Sequence, residues 1–239
     1  MDPITDHPPM RLERPVMRMD WRVLTYLHWP VTVDAVNAHL PNGLEADVHD
    51  GRAWVGLVPF DMRDIRSPGM PRGIPWVGSF PETNVRTYVV GPDGGRGVWF
   101  HSLDITRGAA VAVARLGYAL PYHWGSMAIR RTGQRFTYAA ARRWEGSARS
   151  RIEVEVGVRT NDPTDLDRFL ANRWLLYAQG PSGLVRARVD HEPWPLHEAR
   201  VVGLDDELVA AAGYQVEGPP VHVRFSPGVD VAVGLPERV

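Results

Sequence analysis

Cysteine and lysine are both missing from this 239-residue chain. Without cysteine there is no disulfide, thiolate zinc site, iron–sulfur cluster or cysteine nucleophile. All 27 Lys+Arg positions are arginine. No side chain can therefore form a Schiff base, carry pyridoxal phosphate or act as a phosphate-loop lysine. Arginine is no substitute, because its guanidinium stays protonated and is not an amine nucleophile. Neither sign of charge is in excess. The net charge is −1, with no basic stripe or acidic tail, which argues against nucleic acid and membrane surfaces as partners. Long apolar runs are also lacking. The opening MDPITDHPPMRLERPVM has the character of neither a signal peptide nor a membrane anchor, so a cytoplasmic location is the default expectation.

What is present is the profile of a globular protein, 44% hydrophobic and 23% charged, long enough to bury a sizeable core. Residues 1–18 read as a flexible lead-in, and 19–239 as one domain. Residues 21–28 read as a strand, and 32–40 as a short helix stopped by Pro41-Asn42-Gly43. Asp50-Gly51 between two apolar runs is a hairpin signal. The Pro- and Gly-rich stretch 64–81 reads as a long surface loop of the kind that covers a site. ETNVRTYVV and RGVWFHSLD flank the turn GPDGG. The alanine-rich stretch 106–116 reads as a helix. SMAIRR and QRFTYAAARRW form a third hairpin, and RIEVEVGVR alternates as a strand. DLDRFLAN and DDELVAAAGY read as helices, and WLLYAQ, GLVRARVDH, EARVV, VHVRF and VDVAVGL as strands. The sum is an α+β fold, a mainly antiparallel curved β-barrel or cone with three or four short helices.

The strand over 82–90 carries the most chemistry. Alternation puts Glu82, Asn84, Arg86 and Tyr88 on one face, and Thr83, Val85, Thr87 and Val89 on the other. The polar face is either a solvent face or the wall of a pocket. In a pocket, Arg86 would clamp a carboxylate, and a desolvated Glu82 would work as an acid or base. On the next strand Trp99, His101 and Leu103 share a face by the same rule. His101 is either a hydrogen-bonded core residue or a ligand contact, and Asp104 reads as the cap of the helix after it. The nine histidines show no metal-ligand spacing. A site built from His28, His101 and His123 lacks any local support, and no metal is expected. Neither Ser126 nor Ser182 sits in a nucleophile elbow. The glycines of 91–97 belong to a hairpin turn rather than a dinucleotide cradle.

Four runs carry a likeness: LHWPVTVDAVNAHLPNGLEADVHDGRAWVGLVPF (27–60), FPETNVRTYVV (80–90), GVWFHSLD (97–104) and ARLGYALPYHWGSM (114–127). Together they resemble the YqjF-like family, which is grouped with the acetoacetate decarboxylase-like superfamily. The resemblance implies a single α+β barrel or cone enclosing a pocket. It places Glu82 where the decarboxylases have a pocket glutamate, and Tyr122 and His123 about where they have their paired lysines. It implies imine chemistry for the relatives, which a lysine-free chain cannot perform. The decarboxylases' early arginine has only Arg22 as a candidate counterpart. Tyr122 and His123 alternate, so one of the two faces the pocket, with Tyr122 favoured; packing beneath a helix is the competing role.

The expected site is thus Glu82, Tyr122 and His123 for catalysis, with Arg86, Tyr88, Asn84 and His101 for ligand binding. No cofactor is implied. The expected partner is a small molecule such as an oxo acid, and a homo-oligomer is left open. Two functions fit: a cofactor-free lyase, isomerase or hydratase using glutamate acid–base chemistry, or a non-catalytic binding or sensing module with the same cavity.

Overall fold

The computed structural model describes residues 1–73, 78–106, 120–143 and 147–239. The architecture follows from two strands that each change partners along their length. These are β5 (Arg96–Ile105) and β12 (His222–Val233). The other long strands are β1 (Met17–Val31), β3 (Ala53–Arg66), β4 (Phe80–Val90), β6 (Tyr122–Thr132), β7 (Arg135–Arg142), β8 (Arg149–Arg159), β9 (Leu175–Gly180), β10 (Gly183–His191) and β11 (His197–Asp206). Two-residue strands β2 (Glu45–Ala46) and β13 (Glu237–Arg238) sit at the sheet margins. The ring β5-β6-β7-β8-β11-β12-β1-β3-β4 closes through the β4–β5 pairing, giving a mostly antiparallel nine-stranded barrel.

A second ring shares part of the first. Val98 and Trp99 of β5 pair with β9, whereas Leu103–Ile105 pair with β6. Phe225 and Arg224 of β12 pair with β11, whereas Val231–Val233 pair with β10. Strands β9 and β10 therefore bridge β5 to β12, closing the seven strands β5, β9, β10, β12, β1, β3 and β4. The bend in β12 that permits the switch lies at Pro227-Gly228. Gly228 has φ +125°, and a Cβ there would meet the Trp21 carbonyl oxygen at 2.0 Å, so only glycine fits.

Each ring has its own core. Leu27, Val55, Leu57, Val85, Phe136, Ile152, Val154 and Phe225 fill the nine-stranded barrel. Met19, Leu24, Tyr26, Val58, Phe60, Phe80, Ile105 and Val231 belong to the seven-stranded one. Strands β3 and β4 stand between the two cores, which is why Glu82–Val89 are buried on both faces.

Three short helices complete the described residues: α1 (Val33–Asn37), α2 (Asp165–Ala171) and α3 (Leu208–Ala211). Helix α1 is capped by Thr32, whose hydroxyl accepts from the Ala35 N–H at 3.2 Å. A full capping box between Thr164 and Asp167 starts α2. Among the described residues no helix is long and apolar enough to cross a membrane.

Several sequence expectations change here. Asp50 and Gly51 both adopt positive φ, as the turn chemistry demands. Yet the arm before them pairs with Val89 and Val90 of β4 rather than with β3, leaving only the His49–Arg52 bridge. The two closing strands are one bent strand. The last helix shrinks to four residues because β11 runs on to Asp206. The loop expected at 64–81 shortens from both ends, since β3 extends to Arg66 and β4 begins at Phe80. The alanine-rich helix lies almost wholly outside the described residues. The lead-in ends at Val16, and its residues meet the barrel through Asp2 N–H to the Gly94 carbonyl and Leu12 N–H to Asp190.

Candidate functional site

The seven-stranded ring encloses a cavity of about 560 Å³, lined by both apolar and ionisable side chains. Its polar wall is the even face of β4. Glu82, Asn84 and Arg86 project into it one strand step apart, and each is under 8% exposed. Glu82 Oε2, Asn84 Oδ1 and Arg86 Nε are all buried without a hydrogen-bond partner. Buried polar atoms are rarely left unmatched, and here three lie in file along one wall.

Arg86 is the most unusual of them. Among the described residues no carboxylate lies within ion-pair distance of it, although Arg96, Arg142 and Arg173 each have one. Its guanidinium carbon sits 5.2 Å from the Tyr26 ring centroid and 5.7 Å from that of Tyr88. Two phenol rings thus hold it by cation–π attraction while leaving its charge unneutralised. Gly56, opposite Arg86 on β3, makes room for this packing. A Cβ there would come within 2.8 Å of the His28 ring.

Tyr88 is not in the cavity but beneath it, at the head of a buried hydrogen-bond chain. Its hydroxyl is 2.6 Å from His28 Nε2, His28 Nδ1 is 3.1 Å from His222 Nδ1, and His222 Nε2 is 2.8 Å from Asp167 Oδ1. Asp167 also faces Arg224 and the Thr164 N–H, and it is held below the ordinary carboxylate range, with burial opposed by the His222 and Thr164 hydrogen bonds. With both imidazoles neutral, the Asp167 acceptor sets the tautomers along the chain. His222 donates from Nε2 to Asp167, His28 donates from Nδ1 to His222, and Tyr88 donates its O–H to His28. The chain orients the Tyr88 ring against Arg86.

Burial raises the Glu82 carboxyl to about 8, with a hydrogen bond from Asn84 opposing and the Asp104 charge adding to the shift. Glu82 is therefore protonated at neutral pH and stands ready to donate. Asp104 itself is spoken for: Arg142 grips it bidentately at 2.6 and 2.9 Å. The helix that Asp104 was expected to cap lies outside the described residues.

Tyr122 lines the cavity, whereas His123 is not among its lining residues. His101 is displaced altogether. In the β4–β5 register Arg86 faces Phe100 and Val85 faces Ser102, so His101 is the extra residue of a bulge. It turns outward to Tyr214, whose hydroxyl lies 2.8 Å from its Nε2. The bulge also shifts the parity of β5, so that Val98 and Phe100, then Leu103 and Ile105, face the cavity. The grouping of His101 with Leu103 on one face therefore fails. Arg22 pairs with Asp20 and Asp230, away from the cavity.

Three lining residues escaped sequence reasoning. Tyr26 faces inward because Val23 adopts φ +46° and flips the parity of β1, so Met19 and Trp21 are followed by Leu24 and Tyr26. His191 ends the inward row Ala187, Val189, His191 of β10, which alternation in GLVRARVDH could have disclosed. Its Nδ1 donates to the Glu192 carbonyl at 2.8 Å, and burial lowers its pKa to about 4, so the ring is neutral at pH 7 and keeps Nε2 as an acceptor. Arg173, just after α2, left no sequence signal. Asp47 neutralises it, and one of its amines, Nη2, is unpartnered.

Comparison with known proteins agrees with this geometry. The family model DUF2071, described as an uncharacterized conserved protein, matches residues 18–230. The uncharacterized protein YqjF of Bacillus subtilis (strain 168) is 33% identical over 186 residues, 77% of this chain and 76% of that protein. The acetoacetate decarboxylase of Legionella pneumophila superposes with a TM-score of 0.68 at 13% identity, covering 98% of this chain and 89% of that one. The enduracididine biosynthesis enzyme MppR, in complex with pyruvate, gives 0.66 at 17% identity, covering 96% and 92%. An acetoacetate decarboxylase-like enzyme from Sphingomonas wittichii RW1 gives 0.62 at 14%, covering 94% and 93%. The fold is thus that of the acetoacetate decarboxylase-like proteins.

Proposed function

Because the chain belongs to the DUF2071 family and shares the acetoacetate decarboxylase-like fold, we propose that it binds a small oxo acid in the seven-stranded ring and acts on it by acid–base chemistry. The observation that carries this is Arg86: a buried cation with no carboxylate beside it among the described residues. An uncompensated buried charge is costly, and a ligand carboxylate would remove that cost. Recognition of a carboxylate by the planar guanidinium fork is the natural pairing. MppR, of the same fold, is seen with pyruvate, and an oxo acid here accords with that.

Glu82 supplies the chemistry. It holds its proton at neutral pH and donates it to the carbonyl oxygen or enol carbon of the bound acid, then recovers one as the product forms. Asn84 hydrogen-bonds the Glu82 carboxyl, and Tyr122, beside Leu103 in the sheet, adds its phenol to the cavity lining. Enolisation, hydration or dehydration needs no more than this. An imine route is closed to a chain without lysine.

The test is calorimetric titration with a panel of 2-oxo acids, followed by a turnover screen of those that bind. Arg86→Gln should weaken binding about 10- to 100-fold, the value of a charge-assisted hydrogen bond. Glu82→Gln should leave binding intact and abolish turnover. Unaltered affinity in Arg86→Gln would rule out the carboxylate role. Binding without turnover of any acid would leave a ligand-sensing module in place of an enzyme.

A further inference from the structure

The cavity is far larger and far more apolar than a pyruvate-sized acid needs. Its volume of about 560 Å³ lies in the range of pockets that enclose drug-sized ligands. Its charged groups are confined to few places, while Met19, Met62, Phe60, Phe80, Leu103 and Ile105 are among its many apolar lining residues. Methionine and aromatic side chains adapt to extended apolar ligands.

The polar groups are also spread out. Arg86 lies at the inner end, packed on Tyr26 and Tyr88. Phe80 begins β4 at the other end of this wall, and Met17, Ser67 and the exposed Met70 also line the chamber. Six residue steps of strand separate Arg86 from Phe80, about 20 Å along the wall. Between the Cα atoms of Glu82 and Arg86 the same measure gives about 13 Å, before either side chain reaches into the chamber. A two- or three-carbon acid seated on Arg86 would leave most of a chamber of this volume without contacts. An acid with an apolar tail would fill it, passing Asn84 and Glu82 on its way to the opening.

Resting on the proposed carboxylate role of Arg86, we infer that the ligand is an acid with a long apolar tail, about eight to twelve carbons or an aromatic body of like size. Its head meets Arg86 and its tail runs outward along the even face of β4 to Phe80 and Met70. The substrate class is accordingly medium-chain or aryl-substituted oxo acids rather than the shortest ones.

A homologous series tests it. Dissociation constants are measured by calorimetry for 2-oxobutanoate, 2-oxohexanoate, 2-oxooctanoate and 2-oxodecanoate. The matching primary alcohols serve as headless controls, and each ligand is titrated into wild type and Arg86→Gln. Affinity should rise about fourfold per added methylene with one-to-one stoichiometry, and the acids should lose affinity in Arg86→Gln. A flat series that still depends on Arg86 would overturn the tail and leave the carboxylate role standing. A steep series indifferent to Arg86, with alcohols equal to acids, would keep the apolar chamber and remove its anionic head. No binding by any member up to millimolar concentration would overturn both.

Discussion

Glu82→Gln should make the protein more stable at pH 8, by about 4 kcal/mol, and leave its stability at pH 4 almost unchanged. The carboxyl has an ordinary value of 4.5 and rises to about 8 in the fold. Between those two values the native state holds a proton that the unfolded chain has released. Stability therefore falls as pH rises through this window, and levels off above about 8. Below 4.5 both states are protonated and the residue is neutral to stability. Glutamine mimics the protonated form at every pH and removes the slope. Buried histidines act in the opposite sense: His191, lowered to about 4 by burial, gains stability for the fold as pH rises towards 6.5. They are common to both proteins and cancel in the difference. Urea denaturation of wild type and variant from pH 4 to pH 9 reads it out. Parallel curves across the range would mean that Glu82 is solvated, and its role as a proton donor would go with it.

Asp47→Asn should cost about 3–5 kcal/mol and lower the melting temperature by roughly 6–20 °C. Asp47 is fully buried and serves two arginines. Arg96 donates to both of its oxygens at 2.8 Å, and Arg173 bonds the same carboxylate. Arg173 lies over Phe169 at 4.3 Å and over Tyr88 at 4.9 Å, so it ties α2 to β4 beneath the cavity. The amide would keep a partial dipole but remove the formal negative charge that these two cations share, leaving Arg173 charged and buried. Thermal unfolding by circular dichroism measures the loss. A shift of under about 2 °C would show that the two guanidiniums find compensation elsewhere.

Local chemistry made much of this fold legible. The turns at 91–95 and 132–133 announced their hairpins, and the stretch DLDRFLAN read as the helix that is α2. Alternation correctly grouped Glu82, Asn84 and Arg86 on one face. It could not say that this face was interior, because Thr83, Val85 and Thr87 are equally buried; that follows only from closure of two rings across β3 and β4. The misplaced residues share one cause. A single extra residue in β5 sends His101 outward, and one left-handed residue in β1 turns Tyr26 inward. Neither Val23 nor His101 is of a type that advertises such a departure. Arg173 owes its place to the distant Asp47, a pairing without local signature.

The partition formed by β3 and β4 has a consequence for how ligand preference can diversify among relatives. Any change on that divider is felt by two interiors at once, so its freedom to vary is narrow. The opposite flank, made by β9 and β10 with Ser67 and Met70 after β3, borders the chamber without underpinning the larger barrel. New specificities should arise on that flank, while the divider keeps Glu82, Asn84 and Arg86 in place.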